Sequence, residues 1–304
     1  DITATKAPAL VNPGLVKDAV WTNLDGDPYP DLLLAGEWMA ISLYKGEQGG
    51  SLKAVGTEIY GLENTFCWWN CVRTADFDGD GDQDLLYGNY GLNSKIKASA
   101  AEPVEMYVKD LDGNKSLDQL LCYHLHGEKL LFATKDELNA QVPSIKKSFL
   151  KYRDYAAASL DDVFPPSRLQ DALLLRATTF ASCYVENLGN WHFVVHPLPE
   201  TVQLAPLQTA LVRDFNGDGH LDALTGGNFY DANPEIGRID GNYGTLLAGD
   251  GKGGFRALPV WESGFHLIGQ CRDLQEVRTA KGSWIVAARN NDTFGVFQWN
   301  KQVK

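Results

Sequence analysis

The sequence predicts an all-β fold of repeated antiparallel units, a β-propeller of five blades, and three observations predict it. A nine-residue pattern occurs four times, as Asn23-Leu-Asp-Gly-Asp-Pro-Tyr-Pro-Asp31, Asp76-Phe-Asp-Gly-Asp-Gly-Asp-Gln-Asp84, Asp110-Leu-Asp-Gly-Asn-Lys-Ser-Leu-Asp118 and Asp214-Phe-Asn-Gly-Asp-Gly-His-Leu-Asp222. Short apolar runs of strand length flank each copy, such as Ala19-Val-Trp21 before the first and Leu32-Leu-Leu34 after it. A Gly-rich hairpin recurs at 43–50, 184–193 and 246–255. Strand, acidic loop, strand and hairpin make a four-stranded unit of about 50 residues, and radial stacking of such units gives a propeller.

The acidic loops come first in the argument because their chemistry is the most specific. Each has Asp or Asn at positions 1, 3 and 5, Gly at 4 and Asp at 9. Hard divalent cations take six to eight oxygen ligands at about 2.3–2.6 Å, and Ca²⁺ tolerates flexible geometry. Odd positions, with a backbone carbonyl near position 7, supply such a set. The candidate ligands are Asn23, Asp25, Asp27, Tyr29 and Asp31 in the first loop and Asp76, Asp78, Asp80, Asp82 and Asp84 in the second. Asp110, Asp112, Asn114, Ser116 and Asp118 form the third set, and Asp214, Asn216, Asp218, His220 and Asp222 the fourth. A helix-flanked calcium loop needs Glu at position 12; here that position is Leu34, Tyr87, Leu121 or Thr225. These are strand-flanked loops.

Position 6 separates them. Gly81 and Gly219 permit the positive φ of a sharp turn. Lys115 forces a left-handed non-glycine residue or another turn, and Pro28 forbids positive φ. The expected order of affinity is second, fourth, third, first.

The remaining elements follow the chain. The last unit starts near Arg272-Asp-Leu274, takes in 284–288 and 295–299, carries no acidic loop and lacks a fourth strand. The alternating N-terminal segment Ile2-Thr-Ala-Thr-Lys6 is expected to pair with it as a strand, closing the ring and removing a free edge. Loop starts at 76 and 110 lie too close for a whole unit between them, so 89–103 is expected to be irregular or shared. A helical insertion within a blade is expected over 134–176, inside a single domain of 1–304. There Thr134-Lys-Asp-Glu137 reads as a capping box opening a helix through Leu138, Val142, Ile145, Phe149 and Tyr152. Ser167-Arg-Leu-Gln170 opens a second helix through Leu169, Leu173 and Leu174. Lys135, Lys146, Lys147, Lys151 and Arg153 are expected on the exposed face of the insertion.

Composition bounds the function. The 304 residues, 44% apolar and 11% aromatic, suffice for a sizeable core. A net charge of −12 argues against nucleic acid and anionic membranes as partners. Thirteen Asp residues at ligand positions 1, 3, 5 and 9 account for much of it, and four bound Ca²⁺ would leave about −4. Without cations the loops repel themselves. No apolar run is long enough to span a bilayer. Open loops of this kind bind calcium at about 10⁻⁴–10⁻³ M, which places the protein outside the cytoplasm: extracellular, periplasmic or on the cell surface. The five cysteines (67, 71, 122, 183 and 271) read as buried small hydrophobes, with room for one disulfide.

The loops together with Trp68-Trp-Asn70, Gly88-Asn-Tyr-Gly-Leu-Asn-Ser-Lys95, Gly226-Gly-Asn-Phe-Tyr230 and Ala288-Arg-Asn-Asn-Asp292 resemble the FG-GAP/VCBS-repeat β-propellers. The likeness is nearest to secreted or surface-anchored proteins of the Bacteroidetes type, related to the cartilage acidic protein group. It implies an extracellular calcium-binding propeller with an adhesion or ligand-binding role, and further domains in longer relatives.

Other chemistry is sparse. His124 and His126 stand two apart in an expected strand, as a metal pair could, with no third ligand nearby. No nucleophile elbow, zincin motif or dinucleotide fingerprint occurs. Trp38, Trp68, Trp69 and Tyr90 read either as packing between blades or as a stacking platform for sugars, with Asn89, Asn93 and Lys95 as polar contacts. The expectation is a calcium-stabilised, non-enzymatic binding, adhesion or scaffold module whose ligand is a glycan or an extracellular protein. The alternative is a glycan-active enzyme of the polysaccharide lyase kind on a propeller scaffold.

Overall fold

The computed structural model describes residues 1–56, 61–280 and 282–298. They group into two compact units, Asp1–Lys95 with Phe180–Lys304 and Ile96–Thr179. All strand pairs named below are antiparallel.

The chain opens on one helical turn, α1 (Thr3–Lys6), not on a strand. The Asp1 carboxylate accepts from the Thr3 amide at 2.9 Å, and the Ile2 carbonyl accepts from the Lys6 amide at 2.9 Å. These local bonds take up the donors that a closing strand would have used. Then β1 (Leu15–Thr22), β2 (Asp31–Met39), β3 (Ser42–Glu47) and β4 (Ser51–Val55) form a meander, with β5 (Cys67–Trp68) against the far end of β2. A second sheet begins with β6 (Cys71–Ala75) and β7 (Asp84–Gly88).

There the chain enters the smaller unit. Its sheet has the order β10-β9-β8-β11, built from β8 (Val104–Lys109), β9 (Asp118–Leu125), β10 (Glu128–Leu131) and β11 (Leu173–Ala177). Between β10 and β11 lie five short helices: α2 (Lys135–Gln141), α3 (Ile145–Ser148), α4 (Tyr152–Ala156), α5 (Leu160–Val163) and α6 (Pro166–Leu169). Both bonds of the capping box at Thr134 and Glu137 are present. The expected helix through Tyr152 is nevertheless cut at Val142, because Pro143 disfavours helical backbone at the residue before it. Leu173 and Leu174 belong to β11, where they face Val108 and Tyr107 of β8, rather than to a helix. The helices bury Leu138, Val142, Ile145, Leu160 and Phe164 with Leu120 and Cys122 of β9, so one apolar core serves the whole unit. Lys135 is buried with its ammonium 4.7 Å from the Tyr152 ring centroid, which removes it from the expected basic face; Lys146, Lys147, Lys151 and Arg153 are exposed.

On its return the chain finishes the second sheet with β12 (Cys183–Asn187) and β13 (Phe193–Pro197), and Cys183 sits opposite Tyr87 of β7. The loops at 76 and 110 are close in sequence because the second meander is completed only after 84 inserted residues, 96–179. A third meander follows in β14 (Leu207–Arg213), β15 (Asp222–Gly227), β16 (Thr245–Gly249) and β17 (Phe255–Leu258). The last sheet has three strands among the described residues, β18 (Cys271–Thr279), β19 (Gly282–Arg289) and β20 (Gly295–Gln298); Trp299, expected at its end, lies outside them. Among the described residues five sheets are present, and none closes on itself.

Burial explains the strand patterns. The second strands β2, β7 and β15 are buried on both faces and read as near-continuous apolar runs such as Leu32-Leu-Leu-Ala35. In the larger unit the four first strands converge on one guanidinium. Arg73 of β6 reaches Asp18 of β1 at 2.6 Å, the Ala210 carbonyl of β14 at 2.8 Å, Thr209 at 3.2 Å and Asp273 of β18 at 3.6 Å. A planar five-donor group suits such a hub, which a lysine could not fill. All five cysteines are buried and none is bonded to another.

Since β7 pairs directly with β12, and the Gly91 amide donates to the Phe180 carbonyl at 2.8 Å, the ends of the insertion are held near each other. Replacing residues 96–179 with a flexible linker of about six residues is expected to leave a cooperatively melting β protein. A sloping, non-cooperative melt would contradict the insertion.

Candidate functional site

The four acidic loops share one backbone design. Gly26, Gly79, Gly113 and Gly217 at position 4 all have φ between 76° and 81°, the left-handed region that penalises a Cβ. Side chains then cap backbone amides two residues on. Asp25 accepts from Asp27, Asp78 from Asp80, Asp112 from Asn114 and Asn216 from Asp218; Asp27, Asp80, Asn114 and Asp218 accept from residues 29, 82, 116 and 220. The position-1 carboxylates of Asp76, Asp110 and Asp214 each take amides from positions 4 and 6, at 2.6–3.2 Å. Lys115 adopts φ 71° to serve in this way. In the first loop Pro28 has no amide to give, and Asn23 accepts only from Gly26.

Position 9 has a role the sequence did not reveal. Asp31, Asp84, Asp118 and Asp222 are all buried, and one oxygen of each accepts from the amide at position 2 of its own loop (Leu24, Phe77, Leu111 and Phe215) at 2.8–3.1 Å. In the three loops of the larger unit the other oxygen reaches the third strand: Asp31 to Gly46 at 2.9 Å, Asp84 to Asn187 at 2.9 Å and Asp222 to Gly249 at 3.0 Å. The closing carboxylate staples loop, second strand and third strand. Charge-assisted bonds of this kind are stronger than neutral ones.

The second loop is the most strained electrostatically. Burial, then repulsion from Asp80, Asp84, Asp78 and Asp76, pushes the Asp82 carboxyl up to about 7. Burial pushes Asp84 up to about 6, against the pull of the Asn187 and Phe77 amides. One oxygen of Asp82 is buried and has no hydrogen-bond partner. Crowded, desolvated carboxylates with an unsatisfied oxygen fit a hard divalent cation. Among the described residues, Asp76, Asp78 and Asp84 bring ligand oxygens within 4.8 Å of one another, and so do Asp110, Asp112 and Asp118. These clusters could hold a metal ion. In the fourth loop the Asn216 amide group donates to Asp218 at 2.9 Å, so an internal bond stands where the second loop has repulsion.

The opposite ends of the second strands carry aromatic side chains. Trp68 stands at the centre, with Trp38 and Tyr90 each edge-on to it at 5.1 Å and Phe180 tilted against it at 4.7 Å. Three of the four expected aromatic residues therefore meet, all half-buried, and Trp38 sits at φ 58°. Trp69 does not join them: it is fully buried, donates to the Thr65 carbonyl at 2.8 Å and packs on Tyr87. Phe180 was missed because it lies 90 residues beyond Tyr90, across the insertion. Asn89 is likewise buried, donating to the Ala181 carbonyl at 3.0 Å and contacting Cys67, whereas Asn93 and Lys95 line a cleft of about 580 Å³ with Arg238 and Asp240. His126 lies in a hairpin turn at φ 54°, past the end of β9, so it forms no same-face pair with His124.

With this geometry in view, residues 23–87, the first two acidic loops and the strands between them, match the FG-GAP-like repeat family. No curated protein matches the chain. One solved structure that the chain matches is that of the V. cholerae biofilm matrix protein Bap1, at 11% identity and a TM-score of 0.31. The alignment covers 93% of this chain and 56% of that one, so this chain spans little more than half of its length. No helix among the described residues is long and apolar enough to cross a membrane.

The raised carboxylates fix a pH dependence. Asp82 and Asp84 keep their protons in the folded chain up to about 7 and about 6, while in the unfolded chain they lose them near 3.8. Between these values the folded state binds more protons, so stability falls as pH rises. Carboxylates held below the ordinary value, such as Asp110 through its Lys115 amide bond, titrate beneath this window. In chelator the melting temperature is expected to be lower at pH 7.5 than at pH 5.5, and excess Ca²⁺ should reverse that order. A chelated protein that gains stability towards pH 7.5 would contradict the account of the second loop.

Proposed function

We propose that this protein is an extracellular, calcium-stabilised β-propeller that serves as a non-enzymatic binding or adhesion module. The observation that carries the reading is the second acidic loop, where five carboxylates crowd one turn and a buried Asp82 oxygen lacks a partner. The sheets are its blades, and the convergence of four first strands on Arg73 supports that arrangement. Ca²⁺ would be held by Asp76, Asp78, Asp80 and Asp84 with the residue-82 carbonyl, and by the matching positions of the third and fourth loops. Bound there, it supplies charge neutralisation and a fixed strand-to-strand turn. The narrower likeness to secreted Bacteroidetes propellers and the cartilage acidic protein group belongs to this proposal and rests on the sequence motifs alone. So does a location where calcium is plentiful.

The ligand face in this reading is the aromatic end, with Trp38, Trp68 and Tyr90 offering ring faces and edges to a glycan or an extracellular protein. Asn93, Lys95 and Arg238 line a polar cleft farther along the same segment. The acidic loops at the other strand ends then act as structure, not as the recognition surface.

A calcium-loaded site at a hundredfold excess over its Kd adds about 2.7 kcal/mol, a rise of about 5–10 °C in Tm for a domain of this size. Scanning calorimetry in 10 mM Ca²⁺ against chelator is expected to show it, and Asp80→Ala should remove more of the rise than Asp27→Ala. An unchanged Tm would reject the calcium assignment. On a glycan and matrix-protein array in millimolar Ca²⁺, a hit should weaken about tenfold in Trp38→Ala with Tm held within a few degrees. Binding that ignores Trp38 would move the ligand face elsewhere.

A further inference from the structure

We propose that the ammonium group of Lys45 is the resident cation of the first acidic loop, standing where the other loops take a divalent ion. Lys45, in β3, pairs with Asp25 at hydrogen-bond contact and with Asp27 at 3.1 Å. These are positions 3 and 5 of the loop, two of its candidate ligand positions. The Asp25 side chain is only 11% exposed, while that of Lys45 is 35% exposed. The two carboxylates hold the Lys45 ammonium well above its ordinary range, and the Tyr29 amide, followed by Lys45, lowers Asp27.

Register distinguishes this loop from the other two acidic loops of the larger unit. In each of the three loop-bearing sheets of the larger unit, the register carried one step past the last paired residues sets the closing Asp opposite the residue just before the stapled third-strand amide. That residue is Lys45 before Gly46, Glu186 before Asn187 and Ala248 before Gly249. The first loop thus meets a positive charge, the second a further negative one and the fourth none. The rest of the first loop agrees. Asn23 replaces the position-1 carboxylate, its side-chain amide points inward to the Asp27 carbonyl at 2.5 Å, and Pro28 withholds the amide that would orient it. The Lys45 ammonium also lies 5.6 Å from the Trp191 ring centroid, on the turn between β12 and β13 of the next sheet, and Asn187 donates to the Leu24 carbonyl at 3.1 Å. A fixed lysine thereby joins two sheets without needing metal in solution, in the manner of a cation–π and ion-pair contact combined.

The comparison between loops rests on the calcium reading above; the geometry of Lys45 does not. The test is a calorimetric titration of Ca²⁺ into wild-type protein and into Lys45→Ala, Lys45→Arg and Asp27→Asn. Lys45→Ala is expected to bind one equivalent more than wild type, and Lys45→Arg and Asp27→Asn the same number as wild type. If Lys45→Ala unfolds in chelator, Ca²⁺ is expected to refold it. A missing extra equivalent in Lys45→Ala, or the loss of one in Asp27→Asn, overturns the proposal. Wild-type protein that binds no Ca²⁺ while Lys45→Ala binds one would sink the calcium reading and leave this one standing.

Discussion

The fold depends on a buried carboxylate at the ninth position of each acidic loop. An ionised group withdrawn from water is costly unless its oxygens are satisfied, and here the satisfaction comes from backbone amides that must be in place for the sheet to exist. Asp31, Asp84 and Asp222 each bind their own loop with one oxygen and the third strand with the other. Register between second and third strands is therefore set from the loop end as well as by apolar burial. This explains why the pattern repeats with Asp at position 9 in all four loops while positions 1, 3 and 5 vary between Asp and Asn.

Charge balance is the second constraint, and the loops meet it differently. The first takes an ammonium from β3. The second has five carboxylates and a neighbouring Glu186, and it answers with raised proton affinity and an unsatisfied oxygen. The third groups three carboxylates around a left-handed Lys115, and the fourth softens its own repulsion with an Asn216 bond. One backbone template thus holds several electrostatic solutions. Fourteen Asp residues in these loops contribute to the net charge of −12.

Much of this was legible from residues whose chemistry is local. The loops, the strands beside them, the hairpins at 184–193 and 246–255 and the capping box at Thr134 all act within a few positions of themselves. The shortfalls were long-range. The second sheet could not be assembled from sequence because β7 and β12 are separated by a folded insertion. Leu173 and Leu174 have helical spacing to Leu169, yet pairing with β8 outweighs it. The N-terminal alternation was overridden by local bonds, from the Thr3 amide to the Asp1 carboxylate and from the Lys6 amide to the Ile2 carbonyl. At the candidate sites the acidic loops were readable but the partners of their side chains were not. Lys45 lies 20 residues from Asp25, and only strand register brings it there. Trp69 and Trp68 are adjacent in sequence and point to opposite sides of a strand end, one into the core and one into the aromatic cluster.

The central claim is that these loops are cation sites whose filling completes the fold. Anomalous diffraction from crystals grown in millimolar calcium, or in terbium as its stand-in, tests it most directly. The account requires peaks inside residues 76–84 and 110–118, within ligand distance of Asp78 and Asp112, and none between Asp25 and Asp27. Empty second and third loops in an otherwise unchanged fold would contradict it.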